Sequence, residues 1–146
     1  MAAVNQEIPD KQHIQELQNR YSFAIDSGQY DKLDGMFTPD ATYHFVSGSA
    51  DNIEALKKTI QDALQPLTTS QHINGNQWAE IEGDRARAGC YFTVHMVKEG
   101  LADGEHFEMG GRYDDELLRT PDGWRFTSRT ITILWSDGNR KVRWQD

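Results

Sequence analysis

Cysteine is nearly absent from this chain: Cys90 is the only one in 146 residues. A single thiol can form neither an intrachain disulfide nor a thiolate cluster for zinc. Its place in the strand-like run Ala88-Gly89-Cys90-Tyr91-Phe92 marks it as core filler. Basic residues are also scarce, with 15 Lys and Arg against 23 Asp and Glu and a formal net charge of -8. No basic stripe gathers anywhere, so nucleic acid is not an expected partner. No apolar run approaches the roughly 20 residues that cross a bilayer. The polar start from Met1 to Asp10 lacks the order of a secretory signal. The expectation is a cytoplasmic protein with no membrane partner. A Gly-rich phosphate loop, a nucleophile elbow and a zincin-type histidine pair are all missing, which disfavours dinucleotide binding and covalent hydrolysis. A metal site from His44, His95 and His106 has no diagnostic spacing, so neither metal nor cofactor is expected.

What the chain does have is aromatic bulk, with four Trp, five Tyr and six Phe. Side chains of this kind suit a packed core and the walls of a pocket for an apolar ligand. The length fits one domain over residues 1–146, with 1–9 and 137–146 expected as tails. Ile14, Leu17, Tyr21, Ala24 and Ile25 recur at helical spacing, with Asp10 as a candidate N-cap and Gly28 as a stop. A short second helix is expected over Tyr30 to Phe37, a strand over Ala41 to Val46, and a third helix from about Asn52 to Gln65, before Pro66.

Beyond Pro66 the period changes to two. Strands are predicted at about Thr69 to Glu82, Arg85 to Lys98, Glu105 to Leu118 and Trp124 to Trp135, joined by Gly- and Asp-rich turns. Helices first and long hairpins last make an α+β chain. Strands this long need bends or bulges. The predicted architecture is therefore a curved antiparallel sheet wrapped as a cone over three N-terminal-half helices, enclosing one cavity.

Asp26 closes the first helix, and His72 lies in Ser70-Gln71-His72-Ile73-Asn74. Neutral imidazole suits proton removal near pH 7, and a carboxylate on its other nitrogen fixes the tautomer and stabilises the imidazolium. The plainer readings are that Asp26 caps a turn and that His72 is a strand residue satisfied by backbone. Arg129 offers fixed positive charge to a departing or developing anion, or else pairs with Glu116 or Asp114 across a hairpin. Strand alternation places it opposite Trp124, Phe126 and Ser128 unless a bulge intervenes. Tyr21 and Tyr43 are candidate hydrogen-bond donors to a substrate oxygen. An ideal helix sets Tyr21 and Asp26 about 140° apart, which works against a shared cavity. Trp78 is assigned to cavity wall or sheet packing.

The order of elements and these residues together resemble the SnoaL-like branch of the cone-shaped superfamily named after nuclear transport factor 2, over roughly Lys11 to Trp135. That branch includes scytalone dehydratase, bile-acid 7α-dehydratase and hexachlorocyclohexane dehydrochlorinase. The most specific stretch is Gly110-Gly111-Arg112-Tyr113-Asp114-Asp115-Glu116-Leu117-Leu118-Arg119 followed by Gly123-Trp124-Arg125-Phe126-Thr127-Ser128-Arg129, similar to the family's last hairpin. Tyr21, Asp26, His72 and Arg129 fall where its dehydratase and dehydrochlorinase members carry catalytic groups. His95 would match the second histidine of scytalone dehydratase.

The resemblance implies a cofactor-independent lyase acting on a small hydrophobic, cyclic molecule. A ketosteroid-isomerase-like or polyketide-cyclase-like isomerase is the alternative enzyme. A non-catalytic ligand-binding or assembly subunit is the alternative class. Self-association as trimer or dimer is expected, because a cone leaves the outer face of its sheet apolar.

Overall fold

The computed structural model describes residues 2–144, with side chains from residue 6 onward. Helix α1 (Ala2–Asp26) ends where Gly28 takes a left-handed φ of 70°, a conformation that costs glycine nothing. The helix begins well before Asp10, so that residue is not its N-cap, and residues 2–9 are helical where a tail was expected. Asp10 is buried instead, accepting hydrogen bonds from Arg119 Nη1 and Nη2 at 2.7 Å each and from Trp124 Nε1 at 3.1 Å. It fastens α1 to the far hairpin.

The second expected helix is a 3-10 segment, Tyr30–Gly35, which buries Leu33. Strands β1 (Phe37–Phe45) and β2 (Gly48–Ala50) precede α2 (Ile53–Leu64), whose N-cap Asn52 accepts from the Ala55 N–H at 2.9 Å. Then come β3 (Thr69–Glu82), β4 (Arg85–Val97), β5 (His106–Thr120) and β6 (Gly123–Gly138). A 3-10 turn at Arg140–Val142 follows, and it buries Val142 within the stretch expected to be a tail.

The six strands form one sheet in the order β2-β1-β6-β5-β4-β3. All neighbours run antiparallel except β1 and β6, which are parallel. Turn signals report only strands adjacent in sequence, so this closing pair could not be read from them. The architecture is the expected α+β cone: a curved, unclosed six-stranded sheet with the helices from the N-terminal half against it.

Bulges supply the curvature. In β3 the pairing shifts between Gly75 and Trp78, where Asn76 adopts a φ of 53°. In the last hairpin it shifts between Gly110 and Gly111 and again between Glu116 and Leu117. The second of these leaves Thr127 unpaired between Phe126 and Ser128. Each extra residue bends its strand and reverses the inward and outward sets beyond it.

Candidate active site

Helix α1 crosses the inner end of β3 and is tied to it by polar contacts. Asn74 Nδ2 donates to the Gln18 carbonyl at 3.2 Å and to Ser22 Oγ at 3.2 Å, and Gln77 Nε2 donates to Gln18 Oε1 at 3.0 Å. These bonds fix where the end of the helix meets the strand. There Asp26 accepts three hydrogen bonds: from Ser70 Oγ at 2.8 Å, from the His72 backbone N–H at 2.7 Å, and from His72 Nδ1 at 2.7 Å. A carboxylate accepts and does not donate, so Nδ1 carries the proton and Nε2 holds the lone pair. The His72 side chain is only 8% exposed. Its ring lines an internal cavity beside Phe92, with ring centroids 6.2 Å apart.

The cavity encloses about 60 Å³, room for on the order of five waters, so the enclosed part takes a small group and a larger molecule would extend into the mouth. Its walls are mostly apolar, with Ile25, Ile60, Leu64, Val94, Met96 and Ile131 among them. Tyr21 and Tyr43 also face it, their hydroxyls 3.0 Å apart. Burial pushes both phenols above their ordinary range, Tyr43 furthest. They stay neutral, and because one hydroxyl donates to the other, the pair keeps one proton to donate to an oxygen that gains charge. The angular objection to Tyr21 and Asp26 disappears in the structure. Tyr21 faces the interior while Asp26 reaches sideways to the edge of β3, and the His72 ring touches both environments.

Arg129 departs from the expectation. The bulge at Thr127 turns it onto the same face as Phe126, directly opposite Asp115. It does not pair with Glu116 or Asp114. Its Nε and Nη2 donate to the two Asp115 oxygens at 2.7 and 3.0 Å, and neither side chain is exposed. The guanidinium lies 3.8 Å from the Tyr113 ring centroid and 4.4 Å from that of Tyr21. Burial is the largest influence and opposes this charge, but the attraction and hydrogen bonds of Asp115, with Tyr113 and Tyr21 beside them, together outweigh it and the pKa stays raised. Arg129 is therefore a neutralised cation behind the tyrosine wall and not a lining residue.

For Trp78 the sheet-packing alternative holds and the cavity-facing one does not, and His95 is corrected. Trp78 is 45% exposed on the outer face of the sheet, where its indole covers Gly89 with Nε1 2.7 Å from the position a Cβ would occupy. His95 pairs with Gln71 and points outward, because Val94 and Met96 take the inner face. There its Nδ1 meets Glu108 Oε1 at 2.6 Å and its Nε2 meets His106 Nδ1 at 2.6 Å. Among the described residues no cluster of three His, Cys, Asp or Glu side chains could hold a metal ion. Cys90 is buried, and burial pushes its thiol to about 11.

The sequence reading missed four participants. Ser70 shares an alternation with His72, a usable signal. Tyr113 and Asp115 sit in the hairpin already singled out and share the unbroken alternation of β5 with Met109 and Leu117, a second usable signal. Arg143 lines the cavity from a segment taken for a tail.

Comparison with known proteins places the chain. The model of the SnoaL-like domain matches residues 6–130. An uncharacterized protein of Mycobacterium tuberculosis (strain ATCC 25618 / H37Rv) is 36% identical over 128 residues, covering 86% of each chain. The anthranilate 1,2-dioxygenase small subunit of Burkholderia cepacia is 27% identical over 141 residues, covering 81% of this chain and 88% of that one. Among solved structures, a proposed scytalone dehydratase of Novosphingobium aromaticivorans superposes with a TM-score of 0.84 at 16% identity, over 92% of this chain and 90% of that one. A nuclear transport factor 2-like superfamily protein of Salmonella enterica gives 0.77 at 18% identity, over 90% of this chain and 96% of that one. At those identities the superpositions speak for the fold alone. By the match over residues 6–130, and by the 36% identical relative, the chain belongs to the SnoaL-like family.

Proposed function

We propose that this protein is a lyase that eliminates water from a small hydrophobic, cyclic substrate, using side chains alone. The observation that supports this best is the Asp26 carboxylate on His72 Nδ1 at 2.7 Å, in a ring that lines the cavity. His72 Nε2 takes a proton from a carbon adjacent to the one bearing a hydroxyl. The C–H electron pair becomes the new C=C bond as the C–O bond breaks, and the proton held on His72 passes to the leaving oxygen, which departs as water and returns the ring to its neutral form. Asp26 holds the tautomer and stabilises the imidazolium, while the bonded pair of Tyr21 and Tyr43 donates its one free hydroxyl proton to the oxygen that gains charge.

The test is turnover of a panel of cyclic hydroxy-ketones, with and without a ring carboxylate, by the wild type, His72→Ala and Asp26→Asn. Each variant should lose at least two to three orders of magnitude with its circular dichroism unchanged. Near-unchanged turnover would overturn the reading. In deuterated solvent, elimination yields an alkene and water, whereas an isomerase returns a deuteron to the product with no loss of oxygen.

One observation favours a second reading, a small subunit within a larger enzyme. The relative from Burkholderia cepacia is named as such a subunit and matches over 81% of this chain. That reading needs no proton transfer at His72. It would be supported if the chain turned over nothing in the panel yet co-purified with a catalytic subunit.

A further inference from the structure

Arg143 lines the same cavity as His72 and is part-buried, so it stands where the cavity meets solvent. Among the described residues the contacts of its guanidinium are with aromatic rings, and no carboxylate or hydrogen-bond acceptor meets it. The comparison with other arginines is direct. Arg119 and Arg129, the two that reach into the protein's interior contacts, each hold a carboxylate with two nitrogens, on Asp10 and Asp115 respectively. Arg143 instead rests against aromatic rings, 5.1 Å from the Trp144 centroid and 5.8 Å from that of Phe45. These rings mount the group without neutralising it.

A partly desolvated cation without a counter-charge is costly unless something supplies one. Burial already pushes the Arg143 pKa down, and the only opposing influence is Tyr43. The other charges near the cavity stand in pairs, although Arg129 Nη1 has no hydrogen-bond partner. Asp115 matches Arg129, and Asp26 becomes matched when His72 takes a proton. A planar guanidinium fork at the wall of an apolar cavity fits a substrate carboxylate with two parallel bonds.

The placement also suits a reaction. His72 is on β3, one edge of the sheet, while Arg143 packs on Phe45 at the end of β1, with β6, β5 and β4 between the two strands. Curvature folds those edges around one space, and base and cation both line it. A molecule held by its acidic group at Arg143 extends its ring past Tyr43 and Tyr21 toward His72.

We infer that Arg143 is the substrate-anchoring residue of this cavity, and that the substrate class is a small ring compound bearing a carboxylate. This deepens the lyase reading and rests on the same cavity being its reaction site.

The test is binding of benzoate and cyclohexanecarboxylate against the neutral benzamide and benzyl alcohol, measured by calorimetry at low and high salt. The proteins are the wild type, Arg143→Gln, Arg143→Lys, His72→Ala, and Arg85→Gln as a surface control. The wild type should bind the carboxylates at least tenfold more tightly than the neutral analogues, with the margin shrinking at high salt. Arg143→Gln should erase that margin, Arg143→Lys should keep part of it, and Arg85→Gln should keep all of it. Should Arg143→Gln fail to fold, the lysine variant decides, because loss of the two-pronged contact must narrow the margin.

Equal binding of benzoate and benzamide to the wild type would overturn the inference. So would absence of carboxylate binding, or an unchanged margin in both Arg143 variants. His72→Ala separates the two ideas, since it should still bind benzoate. If it also keeps full turnover, the lyase reading falls and the anchor stands.

Discussion

Asp26 holds His72 at two points, the ring Nδ1 and the backbone N–H, both at 2.7 Å. One carboxylate therefore fixes the position of the strand and the orientation of the ring that the strand carries. Ser70 adds a third bond at 2.8 Å, so the acid cannot rotate without losing a partner. This is a stiffer mount than a single ring contact would give, and it sets the direction of the Nε2 lone pair.

That mount predicts a tautomer. Nitrogen NMR of His72 should show a protonated Nδ1 and a bare Nε2 in the neutral ring. Asp26→Asn should lose that preference, because a carboxamide can offer Nδ2–H to the ring as readily as it accepts. An unchanged tautomer in the variant would mean that something other than Asp26 holds the ring.

The pair Arg129 and Asp115 makes a stability prediction. Both are wholly buried, so removing one partner strands the other charge. Arg129→Met or Asp115→Leu alone should lower unfolding free energy by about 3–5 kcal/mol, and the double substitution should recover most of that loss. Urea melts of the three variants provide the measurement. Additive losses would show that the charges are not coupled.

Acid should loosen the α1 anchor. Hydrogen bonds from Arg119 first, then from Trp124 and Gln6, hold the Asp10 carboxyl at about 2, below its ordinary 3.8. A depressed carboxylate pKa contributes stability that is present above the unfolded value and is lost as pH falls through the folded one. The contribution is about 2 kcal/mol at neutral pH and disappears between about pH 4 and pH 2. Stability measured across that window should fall less steeply in Asp10→Asn than in the wild type, and identical slopes would contradict the assignment.

The glycine pair in β5 should respond unequally to alanine. At Gly111 a Cβ would meet the Thr132 carbonyl oxygen at 2.2 Å, a backbone atom that cannot step aside. At Gly110 it would meet the Trp135 indole, with its nearest atom at 2.0 Å, and that side chain is 46% exposed and free to swing out. Gly111→Ala should cost about 1–3 kcal/mol or more, and Gly110→Ala less. Thermal melts rank the two. Adding Trp135→Ala should relieve Gly110→Ala and leave Gly111→Ala unrelieved.

Local pattern carried much of this molecule. The 3.6 period from Ile14 to Ile25, the apolar stripe that ends before Pro66, and the alternation after it determined the helices, the hairpins and hence the α+β class. Asp26 and His72 were visible as candidates because each ends or occupies a regular element whose facing could be read. The contact between them belongs to the tertiary structure, which seats α1 on β3 through Asn74 and Gln77. Tertiary structure also decided the facing of Arg129, where a single unpaired residue at Thr127 reversed the alternation. It set the outward positions of Trp78 and His95, the parallel meeting of β1 with β6, and the return of Arg143 to the cavity. The physical reason is common to all of these. Sequence periodicity records how a residue sits within its own element, whereas register, bulges and the packing of distant segments depend on partners far away in the chain.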